Sequence, residues 1–187
     1  MRQRVITWLK DNVPASRVSH VIRVEQMAVE LAAFHNVDPC KAAWAGLMHD
    51  LAKYFKPEKL LAMAQANDLE LDALMKATPH LLHADVSALV AKNTFDIQDE
   101  EVLQAIANHT LGRPGMDMLS CIVFLADSLE HGRGNTPELQ ALRSMSYENL
   151  DRAVYFTCDY TFKKLLTGSR LIHPRVIETR NWFLSRS

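Results

Sequence analysis

Ionisable residues recur on faces of this sequence that otherwise read as apolar, and their types point to cation binding. In SHVIRVEQMAVEL (19–31), His20 shares a helical stripe with Val24, Met27, Ala28 and Leu31. In AGLMHDLAK (45–53), His49 and Asp50 close a stripe of Ala42, Ala45 and Gly46. His83 shares a face with Val86, Ser87 and Val90, His109 lies below Val102, Ala105 and Ile106, and Asp127 follows Val123 and Phe124. Any one of these is more often a hydrogen-bonded core residue, and Asp50 could simply pair with Lys53 three residues on. Asp127 resists that account: its helical neighbours Val123, Phe124, Glu130 and His131 include no fixed cation. A buried, uncompensated carboxylate costs several kcal/mol, so it needs a partner from another element.

Four imidazoles and two carboxylates satisfy one another if they surround a cation. Nitrogen and oxygen donors of this kind suit borderline divalent metals, and no Cys is close enough in sequence to suggest a structural zinc site. Six donors exceed what one structural metal needs. Two metals sharing a carboxylate would use them all, an arrangement suited to phosphoester and phosphoanhydride hydrolysis. Among the other histidines, His35 and His173 read as surface residues, His131 lies one turn after Asp127, and His80 competes with His83 from three residues away.

The elements that must position these groups are helical. Gly totals 6 and Pro 7, no alternating β-type runs occur, and helical periodicity spans most of the 187 residues. Start signals fall at Ser16, Asp38-Pro39, Pro57, Thr78-Pro79, Asp99, Thr136-Pro137, near Ser146, and at His173-Pro174, with Gly168 as a stop. They predict about eight or nine helices in one all-α domain spanning residues 1–187. The segments LGRPGMD (111–117) and EHGRGN (130–135) read as loops. A formal net charge of −1 gives no overall attraction to nucleic acid or an anionic membrane. Cys40, Cys121 and Cys158 are odd in number and widely spaced, which argues against a disulfide framework and fits a reducing cytoplasm. VITWL (5–9) is too brief for a signal-peptide core, and CIVFLA (121–126) is far below a membrane span.

The order His20, His49-Asp50, Asp127 resembles that of the HD-domain superfamily of metal-dependent phosphohydrolases, with His83 and His109 where dinuclear members add ligands. More closely, the chain resembles the YqeK-type branch, bacterial hydrolases that cut diadenosine tetraphosphate symmetrically. The matching text includes RVSHVIRV (17–24), AGLMHDLAK (45–53), LLHADVSA (81–88) and AIANHTLG (105–112), and continues through MLSCIVFLADSLEHGR (118–133) and LLTGSRLIHPRVIETRN (165–181). The chain has His131 where the family often has Pro, a change that leaves the ligand set intact.

The resemblance implies an all-α HD-domain fold with His20, His49, Asp50 and Asp127 around one metal. His83, His109 and a bridging Asp50 would hold a second, with iron as the expected metal and manganese or cobalt as alternatives. On this reading Asp50, Lys53 and Arg133 are the expected catalytic set and Lys53, Thr110, Gly112 and Arg133 the expected substrate pocket; the alternative for Arg133 is that Glu130 ties it in place. The expected substrate is a dinucleoside polyphosphate, split to two nucleoside diphosphates by a cytoplasmic homodimer that has no nucleic-acid or membrane partner. Two rivals remain at this point: a phosphatase or triphosphohydrolase acting on mononucleotides, and a metal- and nucleotide-binding regulator without turnover.

Overall fold

The computed structural model describes residues 1–186 and is all-α, with no strand among them. Eleven α-helices and two 3₁₀ turns follow one another: α1 (Arg2–Asn12), α2 (Ala15–Phe34), α3 (Pro39–Met48), α4 (Pro57–Ala66), α5 (Ala73–Ala77), a 3₁₀ turn (Pro79–Leu82), α6 (His83–Phe95), α7 (Glu100–Asn108), α8 (Met118–Leu129), a second 3₁₀ turn (His131–Arg133), α9 (Pro137–Glu148), α10 (Leu150–Thr167) and α11 (Pro174–Leu184).

Helix starts follow their caps. The Asp38 carboxylate accepts from the Cys40 N–H at 2.8 Å with Pro39 behind it, and Asp99 accepts from the N–H groups of Glu101 and Val102. Thr136 accepts from Leu139, and the His173 ring nitrogen accepts from Arg175. Three expectations are corrected. Ser146 starts no helix; it lies inside α9, and Asn149 caps α10 by accepting from the Arg152 N–H at 2.9 Å. Thr78-Pro79 opens a 3₁₀ turn, and α6 begins only at His83. The count exceeds the expected eight or nine because α1, which has no side-chain cap, the short α5 capped by Asp72, and α8 capped by Asp117 were not among the announced starts.

Helix α8 is the central strut, buried from Leu119 through Ala126 and packed by α2, α3, α7, α9 and α10. Its apolar surface on every side is what an element surrounded by others requires. Helices α2 and α3 meet closely at Gly46, where an added β-carbon would lie 3.0 Å from the Glu25 Cα. That approach brings the end of α3, carrying His49, against the His20 face of α2. Glu25 is itself buried and accepts two hydrogen bonds from Arg2, at 2.7 and 2.8 Å, tying α1 to the same helix.

Candidate metal centre and active site

Three of the four histidines sit where helices end or begin. His49 follows α3, His109 follows α7, and His83 joins the first 3₁₀ turn to α6. At such positions a ring can reach the carbonyl three residues back. His49 Nδ1 lies 2.7 Å from the Gly46 oxygen, His83 Nδ1 2.6 Å from that of His80, and His109 Nδ1 2.8 Å from that of Ile106. A carbonyl only accepts, so each Nδ1 carries the donated proton, and each ring turns its Nε2 toward the centre. His20, in the interior of α2, instead sets Nδ1 3.0 Å from the Glu130 carboxylate.

The four Nε2 atoms converge on Asp50, whose two oxygens face different ways. Oδ2 lies 3.4 Å from His49 Nε2 and 4.0 Å from His20 Nε2. Oδ1 lies 3.5 Å from both His83 Nε2 and His109 Nε2. Two buried groups of candidate donors result, His20–His49–Asp50 and Asp50–His83–His109, each with its ligating atoms within 4.8 Å of one another. Asp127 Oδ1 joins the first, 3.0 Å from His20 Nε2 and 3.7 Å from His49 Nε2. The fit to a cation shows in the atoms left over: His20 Nε2, His49 Nε2 and Asp50 Oδ1 are buried and have no hydrogen-bond partner. Such atoms are rare unless something binds them.

The electrostatics agree. Burial opposes ionisation of Asp50, yet the surrounding His49, His109 and Lys53 hold its carboxyl well below the usual range. Asp127 is likewise held well below, against burial, by His20, His49, Arg133 and His109. Burial, reinforced by the charge on Lys53, pushes His83 well down and keeps the ring neutral, the state a metal ligand needs. For His49, burial is outweighed by Asp50 and Asp127, and its pKa rises.

Cationic side chains surround the carboxylates. Lys53 Nζ lies 2.9 Å from His83 Nε2 and 3.9 Å from Asp50 Oδ1. Arg133 donates to the Asp127 carbonyl at 2.8 Å and to its carboxylate at 2.5 Å. Thr110 Oγ1 lies 2.9 and 3.1 Å from the Nε2 atoms of His109 and His83. Sequence reasoning missed two arginines: Arg17, which donates to Asp50 Oδ2 at 3.0 Å, and Arg23, which donates to Glu130 at 2.5 Å. An open cleft of about 220 Å³ leads outward from His20 between Arg17, Arg23, Tyr54 and Arg133. A larger groove of about 550 Å³, lined by Leu142, Met145, Phe156 and Phe162, holds none of the candidate site residues.

A sequence model of the HD domain matches residues 17–132, which run from the start of the cleft through Glu130. The chain belongs to the HD-domain family.

Among HD-domain relatives, the symmetrical bis(5'-nucleosyl)-tetraphosphatase of Bacillus subtilis is 31% identical over 186 residues, spanning 100% of this chain and 99% of that protein. The protein of the same name from Staphylococcus aureus is 31% identical over 93% of this chain and 90% of its own length. A crystal structure from Clostridium acetobutylicum, described as a predicted HD superfamily hydrolase involved in NAD metabolism, shares 34% identity and superposes with a TM-score of 0.95 over 100% of this chain and 98% of that one.

Within this HD domain the expectation for Gly112 is corrected. Gly112 is buried with φ +61°, and a β-carbon there would lie 2.6 Å from Thr179 Cγ2, so its place is the junction with α11 and not the pocket wall. Glu130 forms the expected ion pair with Arg133, Nε to Oε1 at 3.9 Å, but its closer partners are His20 and Arg23, while Arg133 hydrogen-bonds to Asp127. Ser87, whose place on the His83 face had no evident role, accepts from the Ala52 N–H at 2.9 Å and fixes the turn that carries Asp50 and Lys53. His131 is exposed on the second 3₁₀ turn, and His80 is exposed and stacks on His83 with ring centroids 4.9 Å apart.

Proposed function

We propose that this chain is a metal-dependent hydrolase that splits diadenosine tetraphosphate symmetrically into two ADP. The observation that carries the reading is Asp50, whose oxygens separate the donors into two groups of one shared carboxylate. The likeness to two proteins named symmetrical tetraphosphatases, over nearly the whole chain, supports the choice of substrate.

His20, His49, Asp50 and Asp127 would hold one divalent cation, and Asp50, His83 and His109 a second. Bound there, such cations lower the pKa of a water and polarise phosphoryl oxygens. The chain supplies the rest. Burial of the imidazoles keeps the donors fixed and the centre closed on its protein side. Lys53 and Arg17, both within hydrogen-bond reach of the donor groups, place positive charge where an inner phosphate of the substrate would lie. Arg133 braces Asp127 and leaves the rest of its fork for phosphate at the cleft rim. Thr110, beside His83 and His109, adds a hydroxyl to the same wall. Water adds to one inner phosphorus, the bond to the oxygen shared with the other inner phosphorus breaks, one nucleoside diphosphate leaves as the anion, and the proton lost by the water passes to solvent.

The same reading takes iron as the metal, one domain through residues 1–187 as the unit, a homodimer as the assembly and the cytoplasm as the setting, each on family resemblance. The test is anion-exchange analysis of products from diadenosine tetraphosphate with anaerobically iron-loaded protein and an Asp50→Ala control. Two equivalents of ADP, lost in the variant, are expected. AMP with ATP would overturn the symmetrical cut, and no turnover would overturn the hydrolase reading.

A further inference from the structure

Of the four central histidines, His20 alone takes its Nδ1 partner from outside its own helix segment. The other three lie at helix ends, where the carbonyl three residues back has a lone pair to spare. His20 lies inside α2, where the carbonyls of the preceding turn already belong to the helix ladder. Its partner is Glu130, 110 residues later, with Oε1 at 3.0 Å from Nδ1.

Glu130 is prepared for this contact. Only 2% of it is exposed, and its other oxygen accepts from Arg23 Nε and from the Gly132 N–H, both at 2.5 Å. Those two bonds fix the carboxylate plane and direct Oε1 at the ring. The Arg23 guanidinium in turn lies over Gly132 so closely that a β-carbon there would overlap it. The chain of support therefore runs from Gly132 through Arg23 and Glu130 to His20.

We propose that Glu130 is the positioning residue for His20, holding the tautomer that frees Nε2 and tuning one of the two metal positions separately from the other. This rests on the metal reading above. A carboxylate partner raises the basicity of a ligating imidazole more than a carbonyl does, and losing such a partner typically weakens metal affinity 10–100-fold. The Asp50–His83–His109 group uses only backbone carbonyls for the same purpose, so it should not respond.

The test titrates metal-depleted whole protein with Co²⁺, following stoichiometry by equilibrium dialysis and the exchangeable, metal-shifted Nδ1–H resonances by proton NMR. Wild-type protein should bind two ions and show four such resonances. In Glu130→Gln one ion should dissociate about 10–100-fold more readily while the other holds, and one resonance should move while three stay. Gly132→Ala, which leaves Glu130 in place and displaces Arg23, should give the same selective effect in weaker form; it also carries the test should Glu130→Gln fail to fold. Equal weakening of both ions, or two unchanged ions with four unmoved resonances, would overturn the proposal. Wild-type protein that binds no Co²⁺ would overturn the metal reading itself, an outcome visible before any variant is made.

Discussion

Arg17 Nη1 donates to Asp50 Oδ2 at 3.0 Å, placing a guanidinium from α2 directly on the carboxylate shared by the two donor groups. Burial disfavours that charge, but Asp50 and the neighbouring Tyr54 hold the guanidinium protonated. Its side chain keeps 21% exposure toward the cleft, so it can touch Asp50 and an incoming phosphate together. Arg17→Lys is expected to lower kcat/KM about 10–100-fold, the worth of one charged hydrogen bond, with metal content unchanged. Steady-state kinetics beside elemental analysis would check it, and kinetics within twofold of wild type would remove Arg17 from the substrate site.

Asp50 should be the least replaceable side chain. Asp50→Asn leaves an oxygen for one donor group and an amide for the other. Metal stoichiometry should fall by at least one ion per chain, with activity dropping well beyond the roughly 100-fold that losing a ligand's hydrogen-bond partner costs. Elemental analysis of the purified variant reads the first effect directly.

Lys53 can be separated from the metals. Lys53→Met keeps the aliphatic stem and removes the ammonium beside His83. Turnover of diadenosine tetraphosphate should fall by about 10-fold or more while both ions stay bound, whereas a loss of metal would make Lys53 a support for His83 instead.

Gly46 connects packing to the centre. Gly46→Ala forces a methyl against the Glu25 backbone and must part α2 from α3. The expected cost is about 1–3 kcal/mol, visible as a lower Tm, together with weaker binding at the His20–His49 position. A fully stable variant with wild-type metal content would show that the two helices can separate freely.

Acid should expose Glu130. Burial works against its charge, but Arg23, His20 and the Gly132 N–H bring its pKa from the ordinary 4.5 to about 2. A depressed carboxyl pKa means the folded state binds the proton less readily than the unfolded one. The stabilisation is therefore complete above about pH 4.5 and is lost as pH falls toward about 2. Its size is on the order of 2 kcal/mol, since solvent in the cleft screens part of the full effect. Urea unfolding of metal-free protein between these pH values should show a steeper acid loss in wild type than in Glu130→Gln; parallel curves would contradict this account.

Much of the fold could be read from local chemistry, because a cap and a proline act within one turn. Asp38-Pro39, Thr136-Pro137 and His173-Pro174 each start the helix they announce. Helix α1 could not be read this way, since its start has no side-chain cap and its place is set by the Arg2–Glu25 pair on α2. The His and Asp donors stood out because polar groups on apolar faces are conspicuous. Arg17 and Arg23 did not, because a charged residue on a helix reads as solvated until its partner, 33 or 107 residues away, is known; Glu130 reads from the sequence only as a tether for Arg133, because His20 lies 110 residues away. Gly112 misled for the opposite reason: its neighbour His109 suggested a pocket, whereas its conformation serves a junction with Thr179.

The direction in which the chain passes the centre has its own electrostatic effect. Helices α3 and α7 end there, at His49 and His109, and α8 ends within a turn of Asp127. Each brings the negative pole of its peptide dipoles, worth roughly half an elementary charge, against one opposing pole from α6, which begins at His83. The backbone alone therefore favours a cation at this place. Removing a single imidazole deletes a ligand but leaves that field standing, so the damaged site should still attract positive charge, from a metal or from Lys53.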